Sequence, residues 1–118
     1  MTIPVKFKLG KLLKEKGFDN PCENRYNELG ELTATKLGMN MQPNNYSDSY
    51  SAPTIAEVVM WLYEKHGVWI TVTSISQESW QCHMTKKGDS LGKCYLEDFD
   101  SPTEAYESAI EYVLNNLI

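Results

Sequence analysis

The chain has 118 residues, of which 42% are hydrophobic and 23% are charged, and this composition is typical of a globular domain. Its formal net charge of −5 argues against a general affinity for nucleic acid or for membrane surfaces. No apolar run approaches the roughly 18 residues of a membrane-spanning helix, and we expect no signal segment at the N-terminus. Three cysteines without a framework spacing favour a reduced, cytoplasmic protein.

The N-terminal part, residues 1–35, is predicted to form a helix followed by a short β-hairpin. Apolar residues of the stretch 5–16 share one helical face, and Gly17 is expected to end the helix, with Phe18 folding back on its last turn. The two strands of the hairpin are predicted at residues 22–26 and 31–35. The length of the chain predicts that this part and the rest form a single domain, 1–118.

Residues 36–51 are rich in Asn and Ser and predict a long irregular loop, a type of segment that is often functional or disordered. Tyr46 and Tyr50 lie four positions apart in this loop. Either they hold the loop against the body of the domain, or they present aromatic contacts to a binding partner. Both are therefore candidate binding residues.

A helix is predicted after Pro53, because Thr54 and Glu57 have the spacing of a capping box. Gly67 is expected to end this helix in a left-handed conformation. His66 precedes the stop, where a protonated imidazole is favoured by the helix dipole, and we expect this capping role rather than a catalytic one. The apolar stripe of the helix is formed by Ile55, Val58, Val59 and Leu62.

Three antiparallel strands are predicted after this helix, at residues 68–75, 80–85 and 93–99. β-branched residues dominate the first of them, and apolar residues on both of its faces near Trp69 predict a central position in the sheet. Trp69 itself is expected to fill the core. The strands are expected to form a meander with one face under helices.

The last helix is predicted to begin at Ser101, which has capping-box spacing to Glu104, with Pro102 at the first helical position. Its outer face carries Glu104, Glu107 and Glu111. These carboxylates form either a solvated face or a surface for a basic partner.

The fold class that follows is α+β. Residues 52–118 are predicted to form a three-stranded antiparallel meander flanked by two helices, in the order α-β-β-β-α, and the N-terminal helix and hairpin are added to this core. The same order over residues 53–118 is found in double-stranded RNA-binding domains. Those domains carry lysines at the start of the last helix, whereas this chain is acidic there, which argues against RNA binding.

No catalytic, cofactor-binding or metal-binding constellation is found in the sequence. Cys82 and His83 are neighbours on a predicted strand, so their side chains point to opposite faces and cannot form a catalytic pair. Cys94 is expected across the hairpin from Cys82, with both thiols buried on one face. Zinc-ligand spacings and phosphate-binding glycine loops are absent. We therefore expect no catalytic residue, metal or cofactor, and favour a non-enzymatic role over an enzyme.

Several short motifs are spread along the chain. The string SAPT opens a helix that contains a tryptophan and ends in HGV, the N-terminal stretch 12–22 reads LLKEKGFDNPC, and the closing helix begins with the pattern F-x-S-x-x-E-A (Phe99, Ser101, Glu104 and Ala105). In these features the chain resembles a group of small uncharacterised proteins of phage and prophage genomes. The resemblance implies a phage-related context, assigns no activity and carries no catalytic residue.

These observations favour an accessory protein that acts by binding another protein. The candidate binding residues are Tyr46, Tyr50, Glu104, Glu107 and Glu111. One alternative is an acidic inhibitor that mimics nucleic acid through the carboxylates of residues 97–111 and blocks a host enzyme. Another is a small-ligand-binding protein that uses the loop 36–51. The sequence indicates neither the identity of the partner nor the oligomeric state.

Overall fold

The computed structural model describes residues 3–35, 42–88 and 93–118, with the backbone alone for 93–97. These residues contain three α-helices and two antiparallel three-stranded sheets, so the predicted α+β class is confirmed. The chain forms two compact units, Thr2–Thr54 and Ile55–Ile118. The single domain expected from the length stays a prediction.

The described residues of the unit Thr2–Thr54 form one α-helix, one 3-10 helix and one sheet. Helix α1 spans Phe7–Glu15, and the strands are β1 (Asn24–Asn27), β2 (Leu32–Ala34) and β3 (Ser49–Ser51). Both β2 and β3 pair with β1 in antiparallel register, so β1 lies in the middle. The predicted N-terminal hairpin is therefore present as β1 and β2, with slightly different bounds.

The end of α1 has the predicted glycine stop. Gly17 adopts a φ of 85°, a left-handed conformation that favours glycine. The Gly17 N–H donates to the carbonyl of Lys14 at 3.2 Å, and the Phe18 N–H donates to the carbonyl of Leu13 at 2.9 Å. These two bonds form a Schellman motif. Phe18 is buried, as the sequence predicts.

The prediction of a single irregular loop over residues 36–51 was wrong for residues 43–45 and 49–51, which form regular structure. Residues 36–41 lie outside the described residues. Beyond them, a 3-10 helix at Pro43–Asn45 leads into strand β3. The Asn44 side chain accepts the N–H of Ser51 at 2.7 Å, which fixes the 3-10 helix to the strand. The polar residues of β3 gave no strand signal, because its stability comes from pairing with the distant β1.

The unit Ile55–Ile118 has the element order helix, three strands, helix. Its helices are α2 (Ile55–His66) and α3 (Pro102–Asn116), and its strands are β4 (Val68–Ser76), β5 (Ser79–Lys86) and β6 (Lys93–Phe99). The antiparallel sheet has the order β4-β5-β6. Helix α2 packs on β4, α3 packs on all three strands, and the two helices contact each other. Both helices therefore cover the same face of the sheet.

Strand β4 lies at an edge of this sheet, so the central position predicted for residues 68–75 was wrong. Val68 and Ile70 are buried, whereas Trp69 between them is 43% exposed and does not fill the core as expected. Successive side chains of a strand point to opposite faces. The apolar run therefore combines two core residues with one exposed aromatic residue on the open face.

The helices of this unit end and begin at the predicted signals. Gly67 follows α2 with a φ of 67°, and its N–H donates to the carbonyl of Tyr63 at 3.0 Å. At the start of α3, the Ser101 hydroxyl accepts the N–H of Glu104 at 3.2 Å. The Glu104 carboxylate in turn accepts the N–H of Asp100 at 3.1 Å. The predicted capping box is therefore present, with its carboxylate bonded one residue before the N-cap.

Candidate functional site

One side of β4 presents backbone groups that no described strand pairs with. The Lys87 N–H donates to the carbonyl of Gly67 at 2.7 Å, and this pair continues the β4–β5 register by one step. In an antiparallel pair, residues that bond to the opposite strand alternate with residues whose N–H and C=O point away from it. Counting from Gly67, the groups that point away from β5 belong to Val68, Ile70, Val72 and Ser74.

Strand β4 has few of the features that usually protect an edge strand. Its sequence, VWITVTSIS, contains no charged residue and no proline. Natural edge strands are commonly short, charged, proline-containing or bulged, because a regular edge invites pairing with another chain. The only irregularity recorded between β4 and β5 lies at the far end, between Ser74 and Ser76. Residues 68–74 therefore form a regular, uncharged edge.

Exposed apolar side chains gather beside this edge. Met60 and Tyr63 of α2 are 45% and 52% exposed, and Trp69 and Ile75 of β4 are 43% and 48% exposed. Among the side chains of this unit that the structure describes, these are the large hydrophobic ones that are exposed. The edge of β4 and the neighbouring flank of α2 thus carry the exposed apolar surface of the unit.

The contact between Tyr63 and Trp69 shows which flank of α2 lies beside β4. Their rings meet edge to face with centroids 5.4 Å apart. Met60 lies three residues before Tyr63, so both side chains project from the same flank of the helix. A segment added to β4 would therefore lie beside Met60, Tyr63 and Trp69.

His66 lies at the end of α2 and contacts Trp61, with ring centroids 4.9 Å apart. Burial lowers the pKa of the His66 imidazole below its ordinary value of 6.5, and the positive charge of Lys86 lowers it further. A lowered pKa disfavours the protonated imidazole, so this shift runs against the predicted role as a protonated helix cap, which stays a prediction.

The two candidate tyrosines lie in the unit Thr2–Thr54 and have different surroundings. The Tyr50 ring is half-buried, meets Phe7 edge to face at 5.5 Å, and has the Lys14 ammonium 4.8 Å from its centroid. The Lys14 ammonium also donates to the carbonyls of Tyr46 at 2.6 Å and Ser49 at 2.8 Å. These contacts hold residues 46–50 against α1, whereas the Tyr46 ring is 54% exposed. A role of either tyrosine in binding stays a prediction.

The three candidate glutamates lie on α3. Glu104 is exposed, and its carboxylate is engaged by the Asp100 N–H at the start of the helix. Glu107 and Glu111 are half-buried. As binding residues they, too, stay a prediction.

The cysteines and the other potential metal ligands whose side chains the structure describes form no metal-binding group. Cys22 and Cys82 are buried. Cys94 lies opposite Met84, and Cys82 lies opposite Leu96, so the predicted pairing of Cys94 with Cys82 was wrong by two residues. Among the described residues, no group of three or more His, Cys, Asp or Glu side chains is placed to hold a metal ion. No helix in the same residues is long and apolar enough to cross a membrane.

The edge of β4 is the feature that sequence reasoning missed. Two signals pointed to it. Met60 and Tyr63 lie outside the apolar stripe of α2 and so are not needed for its core. The run 68–76 has no charge on either face, which is unusual for a strand that is solvated on one face.

Comparison with protein-family models, with curated proteins and with solved structures finds no match to this chain.

Proposed function

We propose that this chain is a non-enzymatic protein-binding module, an accessory protein of the phage and prophage kind that its sequence resembles. In this proposal, an extended segment of the partner adds to the edge of β4 that no described strand pairs with. The observation that carries it is the coincidence of an uncharged, regular strand edge with the exposed apolar side chains of the unit. Strand addition of this kind obtains affinity from main-chain hydrogen bonds and specificity from side-chain contacts.

Burial of the exposed aromatic residues supplies the driving force for binding. Tyr and Trp are enriched among the interface residues that contribute most to affinity, because they bury a large area at a small entropic cost. Tyr63 and Trp69 already contact each other, so part of their ordering is complete before a partner arrives. Met60 adds a flexible apolar surface that adapts to different side chains.

The two alternative functions receive less support from the described contacts. An array of carboxylates that imitates phosphates needs exposed and unengaged acids, yet Glu104 caps α3, and Glu107 and Glu111 are half-buried. For a ligand-binding loop at residues 36–51, the described part (42–51) offers the exposed ring of Tyr46, while Lys14 holds the neighbouring backbone to α1.

The proposed function is tested by selecting peptides from a displayed random library with the protein as target at nanomolar concentration. We expect enriched peptides whose binding is weakened by about tenfold or more in Trp69→Ala and in Tyr63→Ala, because truncation of a central aromatic anchor typically costs about 2 kcal/mol. Both side chains are exposed, so we expect the variants to fold. Affinity is measured by surface plasmon resonance.

The matched control is Leu29→Ala, which removes an 83% exposed apolar side chain from the other unit and is expected to leave peptide binding unchanged. The proposal is contradicted if the selection enriches no peptide. It is equally contradicted if the enriched peptides bind Trp69→Ala and Tyr63→Ala as tightly as the wild type.

A further inference from the structure

We infer that the strand accepted by β4 is β4 of a second copy of this chain, so that two sheets join in antiparallel fashion across a two-fold axis. This inference rests on the proposed function, because it names the partner that occupies the same edge. It follows from three properties of that edge: its backbone register, its side-chain order and the apolar flank beside it.

One antiparallel register pairs the regular edge of β4 with its own copy over the whole of residues 68–74. With Thr71 opposite Thr71 of the second copy, Val68 lies opposite Ser74 and Ile70 lies opposite Val72. These are the residues whose N–H and C=O groups point away from β5. Each of them then exchanges two hydrogen bonds with its counterpart, so every backbone group of the regular edge is satisfied.

The next possible register is less favourable. If Val72 lies opposite Val72 of the second copy, Val68 lies opposite Ser76, which follows the irregularity between Ser74 and Ser76. A bulge disrupts the ladder locally and leaves its extra residue unpaired. The register centred on Thr71 ends before the bulge and avoids this loss.

The register centred on Thr71 also brings compatible side chains together. On the open face, Trp69 lies opposite Thr73 of the second copy, and the two Thr71 side chains face each other. On the helix-covered face, Ile70 lies opposite Val72 of the second copy. Aromatic and β-branched cross-strand pairs of this kind are favourable. No pair juxtaposes like charges, because β4 has none.

A two-fold axis through the edge also duplicates the apolar flank of α2. Met60 and Tyr63 lie beside β4, so the flanks of the two copies approach each other over the joined sheet. Such an isologous contact covers the same exposed side chains on both copies at once. A second copy therefore accounts for the uncharged strand, its register and the exposed flank together.

Electrostatic repulsion opposes this association at long range. Each copy has a net charge of −5, and residues 55–118 contain ten acidic side chains against four lysines. Salt screens repulsion between exposed charges over a distance of about 8–10 Å at physiological strength. We therefore expect the dimer to become tighter as the salt concentration rises.

Analytical ultracentrifugation of the full chain and of Thr71 variants tests the inference. Thr71 is exposed, so Lys and Glu at this position are compatible with the fold. In the two-fold register, Thr71→Lys places two ammonium groups opposite each other and is expected to weaken dimerisation about fivefold, as is Thr71→Glu. An equimolar mixture of the two variants is expected to recover the association, because Lys then faces Glu.

The matched control is Thr85→Lys, an exposed position on β5, which is the central strand. This change is expected to leave dimerisation unaltered. Thermal unfolding of each variant establishes that it is folded, and the mixing experiment compares variants of similar stability.

The inference is overturned if the wild-type chain stays monomeric at millimolar concentration, or if the Thr71 variants dimerise as the wild type does and mixing changes nothing. Peptide selection is performed at nanomolar concentration, so its outcome is independent of self-association. A monomeric protein that still selects peptides at β4 retains the proposed function and rejects only the second copy as its partner.

Discussion

At the scale of single residues, Lys14 makes three interactions at once. Its ammonium donates to the carbonyls of Tyr46 and Ser49 and lies over the Tyr50 ring. Hydrogen bonds to a charged group each contribute about 1.5–3 kcal/mol when they are shielded from water and less when they are exposed. This one side chain therefore fixes the segment that leads into β3.

Replacement of Lys14 by methionine removes the ammonium and keeps an unbranched apolar stem. We expect Lys14→Met to lower the free energy of unfolding by about 1–2 kcal/mol, because two carbonyls lose a charged donor. Lys11→Met is the control, since the Lys11 ammonium lies 5.3 Å from the Phe7 ring and its loss is worth about 0.5 kcal/mol. Urea denaturation followed by circular dichroism measures both, and equal losses in the two variants would contradict the role of Lys14.

His66 makes the free energy of unfolding depend on pH, so that the protein loses stability as the pH is lowered. Its pKa in the folded protein lies below the ordinary value of 6.5, so near pH 6 the folded chain binds fewer protons than the unfolded chain. The contribution of His66 to stability is fully present above pH 6.5 and is lost as the pH falls towards the folded pKa. We expect the loss between pH 7.5 and pH 5.5 to be smaller in His66→Gln than in the wild type.

Urea denaturation at the two pH values measures this difference. Comparison with His66→Gln isolates the imidazole, because the carboxylates that titrate at lower pH are common to both proteins. Equal losses of unfolding free energy in wild type and variant would show that burial does not shift this histidine.

At the scale of elements, the helix termini could be predicted from the sequence, because each rests on a local signal. Gly17 and Gly67 adopt positive φ values where the sequence predicts helix stops. Ser101 caps α3 at the position that its spacing to Glu104 indicates. Such signals act within one helical turn and do not depend on which element packs where.

The position of each strand in its sheet could not be predicted from the sequence. A strand that is apolar on both faces indicates burial, yet β4 lies at an edge, and Trp69 is exposed there. The order of strands in a sheet depends on pairing between distant segments, which residue alternation does not report. Strand β3 was missed for the same reason, since Ser49 and Ser51 are polar and pair with β1.

The candidate site could not be predicted from residue types, because it depends on where β4 lies in the sheet and on which side chains beside it are exposed. Tyr46, Tyr50 and the α3 glutamates were selected for their residue types in a loop and on a charged face. The edge of β4 becomes a candidate only when the sheet order and the exposure of Met60 and Tyr63 are known. The absence of charge in residues 68–76 was visible in the sequence, but it was compatible with a central strand.

At the scale of the whole molecule, we propose that the sheet of the unit Ile55–Ile118 binds a further strand at the edge of β4. An uncharged edge that no described strand pairs with is a liability that proteins usually suppress, and this is the physical reason for assigning a binding role to it. Two copies with a net charge of −5 each repel one another at low salt. This repulsion limits indiscriminate association at low concentration.

Amide hydrogen exchange along β4, measured by NMR at a dilute and at a concentrated condition, tests this claim most directly. In the dilute monomer, the amides of Trp69, Thr71 and Thr73 are expected to be protected by bonds to β5, while those of Val68, Ile70, Val72 and Ser74 exchange quickly. On association, the second set is expected to become protected as well. Protection of all these amides in the dilute monomer, or continued fast exchange of the second set after association, would contradict the account.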